Sequence, residues 1–223
     1  MFVVLSSLQN LESTLLSSRI HSALLPSIRL SLLPKSSLDV YLTVIEADGP
    51  LESCVALGVT AASAALATAG IELWGLCIGT VGAYVPSEQS GSNAATGEKA
   101  QAKGLLIVDP TRSESLPQTV STRSVRPKLI SLCTIPALGS VTSLDVSCGS
   151  SSSSEARSEE DEPAAAQVND SRTSSSLTIA EMDGVVRRLT EAAAQIHLVV
   201  AQALQEDVAA REEAATAVAT PGR

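Results

Sequence analysis

Four cationic side chains, Arg112, Arg123, Arg126 and Lys128, fall within residues 112–128 with only Glu114 against them. Guanidinium and ammonium groups at that density contact phosphates without reading base sequence, which makes them a candidate RNA-binding set. A solvated basic loop, or a salt-bridge surface toward a neighbouring chain, explains the same residues and is the favoured reading. A second set is Pro50, Leu51, Glu52 and Ser53, which leads from an Ala-Asp-Gly turn at 47–49 into an apolar run. Pro50 removes a backbone N–H, and Glu52 adds a negative charge beside it.

Other chemistries find little support. Cys54, Cys77, Cys133 and Cys148 are far apart, with no CxxC, and His21 and His197 do not complete a ligand set. Buried free thiols in a reducing compartment are the expectation, with no metal and no cofactor. No Ser-His-Asp arrangement and no phosphate-cradling Gly-rich loop is present. Net charge is −9, unevenly spread. Residues 1–150 carry 9 Lys/Arg against 11 Asp/Glu, net −2, and residues 151–223 carry 6 against 13, net −7. The chain therefore exerts no general pull on phosphates, and any RNA contact must be local or shared with partners. Aromatic content is 2%, which counts against a reader of single strands built on stacking platforms.

The elements that must hold these residues follow from periodicity. Leu8, Leu11, Leu15, Leu16, Ile20, Ala23 and Leu24 predict an amphipathic helix over 8–24. Pro26 and Pro34 bracket IRLSLL, expected as a short extended piece. LDVYLTVIEA alternates and reads as a strand, with Leu38, Val40, Leu42 and Val44 on one face. An Ala-rich helix over 52–68 follows, with Gly70 suited to end it. The uncharged run 54–70 is close to spanning length, but it is weakly hydrophobic, Glu72 follows at once and no basic cluster flanks it, so no membrane role is expected. The N-terminal MFVVLSSLQN has no basic n-region and is not read as a signal peptide. Strands are expected at 71–85, at 104–108 where Asp109-Pro110 stops the run, at 128–135 and at 140–147, with Trp74 in the core or at a subunit interface. Residues 86–103 read as a loop.

The remainder divides into a Ser-rich acidic linker at 149–176, a helix over 177–212 with the stripe Leu189, Ala193, Ile196, Val200, Ala203 and Leu204, and a tail at 213–223. Linker and tail are expected to be disordered, and a plain linker is favoured over a phosphorylation segment. Helices, strands and a closing helix make an α+β domain over 1–148 with a mixed or antiparallel sheet.

Four marks in order give this chain a resemblance to a known family. Pro34-Lys35-Ser36 precedes the strand that runs into the Ala-Asp-Gly turn. The Ala-rich helix ends in Ala69-Gly70-Ile71, Asp109-Pro110-Thr111 closes a strand, and Leu138-Gly139-x-Val141-Thr142 sits between the last two strands. Together they resemble the RNase PH family, most closely the mRNA-transport-type ring subunits of the eukaryotic RNA exosome, over residues 8–148 and the final helix.

The resemblance implies the β-α-β fold of the ribosomal protein S5 domain 2-like class. It also implies a place among other RNase PH-like ring subunits, with S1/KH cap subunits above and RNA threading the channel. The processes implied are 3′→5′ processing and degradation of rRNA, small nuclear RNA and faulty mRNA, in nucleus, nucleolus and cytoplasm. Active members follow the Ala-Asp-Gly turn with a Gly-Thr-Arg-type phosphate-binding segment. Here Pro50, Leu51, Glu52 and Ser53 stand in its place, a degenerate phosphate site. Where active members carry metal-supporting acids, this chain has Asp109 and Glu114 around Pro110, and a turn role for Asp109 is favoured. No catalytic residue is expected: the implied role is a structural subunit, with an active phosphorolytic exoribonuclease as one alternative and a weakly hydrophobic membrane or adaptor protein as another. Members usually begin with several further strands, so the N-terminal part of the domain is expected to be lacking.

Overall fold

The computed structural model describes residues 2–6, 10–85, 104–116, 118–120, 123–125, 127–148 and 177–219. The expected loop at 86–103 and linker at 149–176 lie outside them. The chain opens with strand β1 (Phe2–Ser6), helix α1 (Asn10–Leu24) and strand β2 (Asp39–Thr43), and β1 pairs in parallel with β2. This is a β-α-β unit whose first strand the sequence reading did not anticipate. Val40 is buried while Asp39, Tyr41 and Thr43 are exposed, the alternation of a half-covered strand. Between α1 and β2 the expected extended piece is a tight helical turn, Leu30–Leu32. Only Ile28 is extended there, because it forms a lone antiparallel bridge with Leu73 and the chain then coils back on itself.

Helix α2 (Leu51–Thr68) ends as its sequence demands. Gly70 sits at φ +74°, its N–H donates to the Ala67 carbonyl at 3.0 Å, and the Ile71 N–H donates to the Leu66 carbonyl at 3.0 Å. That reciprocal pair satisfies the last carbonyls of the helix. By length and composition α2 is also the one helix among the described residues apolar enough to cross a membrane, with mean hydropathy 1.5. Its packing gives that composition a different use. Val55, Val59, Ala62 and Leu66 are buried against α1 and the sheet. Strand β3 (Ile78–Val85) comes so close that a Cβ at Gly79 would overlap the Ala56 backbone. Small residues on both sides are what allow this approach.

Strands β4 (Leu105–Val108), β7 (Lys128–Ile135) and β8 (Ser140–Cys148) join β3 in an antiparallel sheet of order β4-β3-β7-β8. The strand expected at 71–85 begins only at Ile78, since residues before it are engaged by the Ile28–Leu73 bridge. Alternation at that bridge turns Leu73 inward and Trp74 outward. Trp74 is 57% exposed, with the Arg29 guanidinium 4.9 Å from its ring centre, which corrects the expectation of a core position.

The basic stretch 112–128 is not a simple loop either. It contains the short helix α3 (Arg112–Ser115) and a hairpin of β5 (Gln118–Val120) with β6 (Arg123–Val125). Thr111 and Glu114 form a capping box that starts the helix, and β-prone Thr119, Val120 and Val125 supply the hairpin.

Both faces of the central strands are covered, so β3 and β7 are buried almost continuously rather than at alternate positions, with Thr80, Ser131 and Thr134 among the buried residues. On one face Leu16, Ile20, Val59, Leu66, Cys77 and Cys133 form a core with α1 and α2. On the other, Val185 and Leu189 of helix α4 (Ile179–Ala219) pack on Tyr84, Ile130 and Leu132. Helix α4 passes the expected end at 212 and reaches Ala219, because nothing between Arg211 and Ala219 breaks a helix and Pro221 comes later. Its 41 residues span about 60 Å. The sheet covers only part of the expected stripe: Leu189 and Ala193 are buried, while Ile196 and Ala203 are exposed.

Candidate functional site at the amino end of helix α2

A helix start offers unpaired N–H groups and a positive dipole end. At α2 the N-cap is Pro50, extended at ψ 165° and without a side-chain cap, and the first turn closes by the Ser53 N–H donating to the Pro50 carbonyl at 3.0 Å. Two turns of chain meet here. The Arg112 N–H donates to the Asp48 carbonyl at 2.9 Å, and the Asp109 N–H donates to the Val81 carbonyl at 2.9 Å. Asp109, at φ +55°, ends β4 in the left-handed conformation that Asp tolerates better than most residues. Sequence positions far apart, Asp48-Gly49-Pro50 and Asp109-Pro110-Thr111, are thereby fastened together.

Glu52 fills this corner. Its side chain is only 10% exposed, and Ser147 Oγ on β8 donates to its Oε1 at 2.6 Å. Arg19 of α1 lies between two carboxylates, its Nη1 3.2 Å from Asp145 Oδ2 and 3.8 Å from Glu52 Oε1. Both are ion-pair contacts without hydrogen-bond alignment. Ser53 Oγ is buried with no hydrogen-bond partner. Arg19 is thus engaged by two acids, and the Glu52 carboxylate is held toward α1 and β8. Arg19, Asp145 and Ser147 were not singled out from sequence. They lie 33 to 95 positions from Glu52, on elements that only the sheet order brings together.

The described members of the basic set stand on different elements. Arg112 is exposed at the start of α3 beside the Asp48 turn. Lys128 is half-buried at the start of β7, opposite Tyr84. Glu181 at the start of α4 is held below the usual carboxyl range chiefly by the Tyr84 and Thr178 hydrogen bonds, with the Lys128 charge adding to them. Arg123 lies in β6, but its side chain, like the whole of Arg126, is outside the described residues. Glu114 is committed to capping: the Thr111 N–H and hydroxyl both donate to its Oε2 at 2.9 Å and hold its carboxyl below the usual range.

Three described thiols are shifted by burial. Burial pushes the Cys77 thiol up to about 12, and burial likewise raises Cys133 and Cys54. Thiols held protonated are poor nucleophiles and poor ligands. Among the described residues no three His, Cys, Asp or Glu side chains converge on a metal centre.

Part of the chain matches a known family. Residues 6–72 match the 3′ exoribonuclease family, domain 1, the RNase PH domain. The whole fold is similar to the crystal structure of rice (Oryza sativa) Rrp46, with a TM-score of 0.55 and 15% identity, covering 91% of this chain and 73% of that one. These matches bear out the resemblance to the RNase PH family and the α+β RNase PH-like fold. The particular relative is the exosome complex component mtr3 of Schizosaccharomyces pombe, 42% identical over 79 residues. That alignment covers 35% of this chain and 30% of the relative, so the chain matches under a third of the length of the curated relative.

Proposed function

We propose that this chain is a non-catalytic structural subunit of an RNA exosome ring, which supports 3′→5′ RNA processing and degradation by shaping the channel and its interfaces. The observation that carries the reading is Glu52. In a fold of this class the α2 amino end is where the resemblance expects a phosphate-binding segment. Here a buried carboxylate, held by Ser147 and facing Arg19, takes that place. An incoming phosphate would meet like charge and a cation already paired with Asp145. The similarity to an exosome component supports the assembly, and its partial coverage leaves partners and process as part of the proposal.

Other RNase PH-like ring subunits are the expected neighbours, with S1/KH cap subunits above and RNA passing through the ring in nucleus, nucleolus and cytoplasm. Arg112 and Lys128 are the described members of the proposed RNA-contacting set, with Arg123 and Arg126 beside them in sequence. The sheet edge at β8 and the exposed Trp74–Arg29 pair offer surface for ring contacts.

Affinity purification of the tagged chain from its own cells, with mass spectrometry of partners and of its N-terminal peptides, tests the reading. Recovery of RNase PH-like subunits in comparable amounts is the expected outcome, and a preparation without them overturns it. The same preparation, given RNA and inorganic phosphate, is expected to release no nucleoside diphosphate that depends on this chain. Release abolished by substitution at Glu52 or Arg19 would instead establish the phosphorolytic alternative.

A further inference from the structure

The sequence holds two Asp-Gly pairs, Asp48-Gly49 and Asp183-Gly184, and the fold treats them differently. Asp183 and Gly184 lie inside α4, where the Gly184 N–H is committed to the helical ladder. Asp48 is exposed, and Gly49 forms a bend between β2 and α2, outside any helix or strand. The Gly49 N–H makes no hydrogen bond among the described residues. Packing also demands a glycine there. A Cβ at Gly49 would lie 2.9 Å from Ser53 Oγ and 3.0 Å from Ser53 Cβ, in the first turn of α2. The fold therefore keeps a bare, unengaged amide next to an exposed carboxyl.

An amide nitrogen so placed attacks the carboxyl of the residue before it, in a ring closure favoured because both groups belong to one chain. We propose that Asp48 is a site of spontaneous isoaspartate formation. The Gly49 nitrogen gives up its proton and bonds to Asp48 Cγ, the carboxyl loses an oxygen, and one water leaves as a succinimide closes. Water then adds back. Opening at Cγ restores aspartate, and opening at the α-carbonyl gives isoaspartate, with no oxidant or second substrate required. The consequence is local. In the native turn the Asp48 carbonyl oxygen accepts the Arg112 N–H at 2.9 Å, which fastens the entry of α2 to the end of β4 and the start of α3. In isoaspartate that oxygen belongs to a branch carboxylate, and the chain reaches Gly49 through one more carbon. Arg112 then no longer holds the main chain of the turn. The inference rests on this turn alone and stands apart from the ring reading.

The test stores the full folded chain at neutral pH in water enriched in heavy oxygen. Its peptides are then fragmented by electron transfer, which tells isoaspartate from aspartate at each position. Heavy oxygen and isoaspartate are expected to accumulate at Asp48. In urea both Asp-Gly pairs should react alike. Folding should slow Asp183 by about a hundredfold or more, since it reacts only when the helix opens, and Asp48 by less than about tenfold. Asp48→Glu, whose longer side chain closes its ring far less readily, should take up no label there. As isoaspartate accumulates, amide exchange at Arg112 should quicken. No isoaspartate at Asp48, or a folded rate there no greater than at Asp183, overturns the proposal. So does label that persists in Asp48→Glu, because its oxygen would have entered by another route. Exchange at Arg112 that stays unchanged while isoaspartate builds up overturns the stated consequence.

Discussion

Glu52 and Glu181 both stand in the first turn of a helix, and they are used in opposite ways. Glu181 serves its own helix. Its Oε2 accepts the Thr178 N–H at 2.9 Å and the Thr178 hydroxyl at 2.7 Å, while Tyr84 OH donates to Oε1 at 2.6 Å and so ties the start of α4 to β3. Glu52 leaves its own helix uncapped and reaches sideways to Ser147 on β8, with Arg19 of α1 beside it. One carboxylate finishes a helix; the other fastens three elements together. A first-turn carboxylate can therefore serve the tertiary structure rather than its own helix.

The largest effect that tests this contrast is hydrophobic. If the Tyr84–Glu181 tether only positions α4, then the grip itself comes from Val185, Leu189 and Ala193 against Ile130 and Leu132. Leu189→Ala should cost about 2–5 kcal/mol, the usual range for truncating a fully buried leucine. The check is the urea midpoint of unfolding. A midpoint that scarcely moves would mean that the polar tether, and not packing, holds the helix.

Next in size is Arg19→Ala, expected to cost about 1–3 kcal/mol because it leaves Glu52 facing Asp145 without a cation between them. The distances, 3.2 Å to Asp145 and 3.8 Å to Glu52, leave open which acid Arg19 serves. A double-mutant cycle with Glu52→Ala decides it. Coupling above about 0.5 kcal/mol would establish Glu52 as a true partner. Strict additivity would assign Arg19 to Asp145 and weaken the contrast between the two helix starts.

How much of this was legible beforehand depends on the range over which the information acts. Helix α1, helix α2 with its Gly70 terminus, and strands β2, β4, β7 and β8 follow from local pattern and emerge close to their expected bounds. That Glu52 stands where a phosphate-binding segment would be came only from the family resemblance. What was hidden was the company it keeps, since Arg19, Asp145 and Ser147 converge only once β8 is placed beside β7 and α1 over both. The choice between core and interface for Trp74 was closed to the sequence for the same reason: a single bridge between Ile28 and Leu73 decides which way it faces. The hairpin in 112–128 and strand β1 are different failures. Both are short, and a three- or five-residue strand carries too few positions for alternation to declare itself. The capping box Thr111-x-x-Glu114, by contrast, was a readable signal hidden among the charges of the basic stretch.

The smallest effect is the most informative about the α4 start. Tyr84→Phe removes the hydroxyl and leaves the ring, so its cost should be about 1–2 kcal/mol at neutral pH, that of one hydrogen bond to a charged acceptor. Its pH dependence carries a sign. The Tyr84 hydroxyl first, and Thr178 second, hold the Glu181 carboxyl below its ordinary range. The stability it contributes is therefore complete above the unfolded glutamate value of about 4.3 and is lost as pH falls through the lower native value. The gap between wild type and Tyr84→Phe should be widest near neutrality and should close in acid. At the alkaline end, burial and the Glu181 contact push the Tyr84 phenol up to about 12. Stability held by the protonated phenol is full below the unfolded tyrosine value of about 10 and is lost as pH rises through the native one. The variant has no phenol to titrate and should lack that alkaline loss. Urea unfolding from acid to alkaline pH reads both limbs at once. A gap between the two proteins that stayed constant across the whole range would show that Tyr84 supports α4 through its ring alone, leaving Glu181 a cap for its own helix and nothing more.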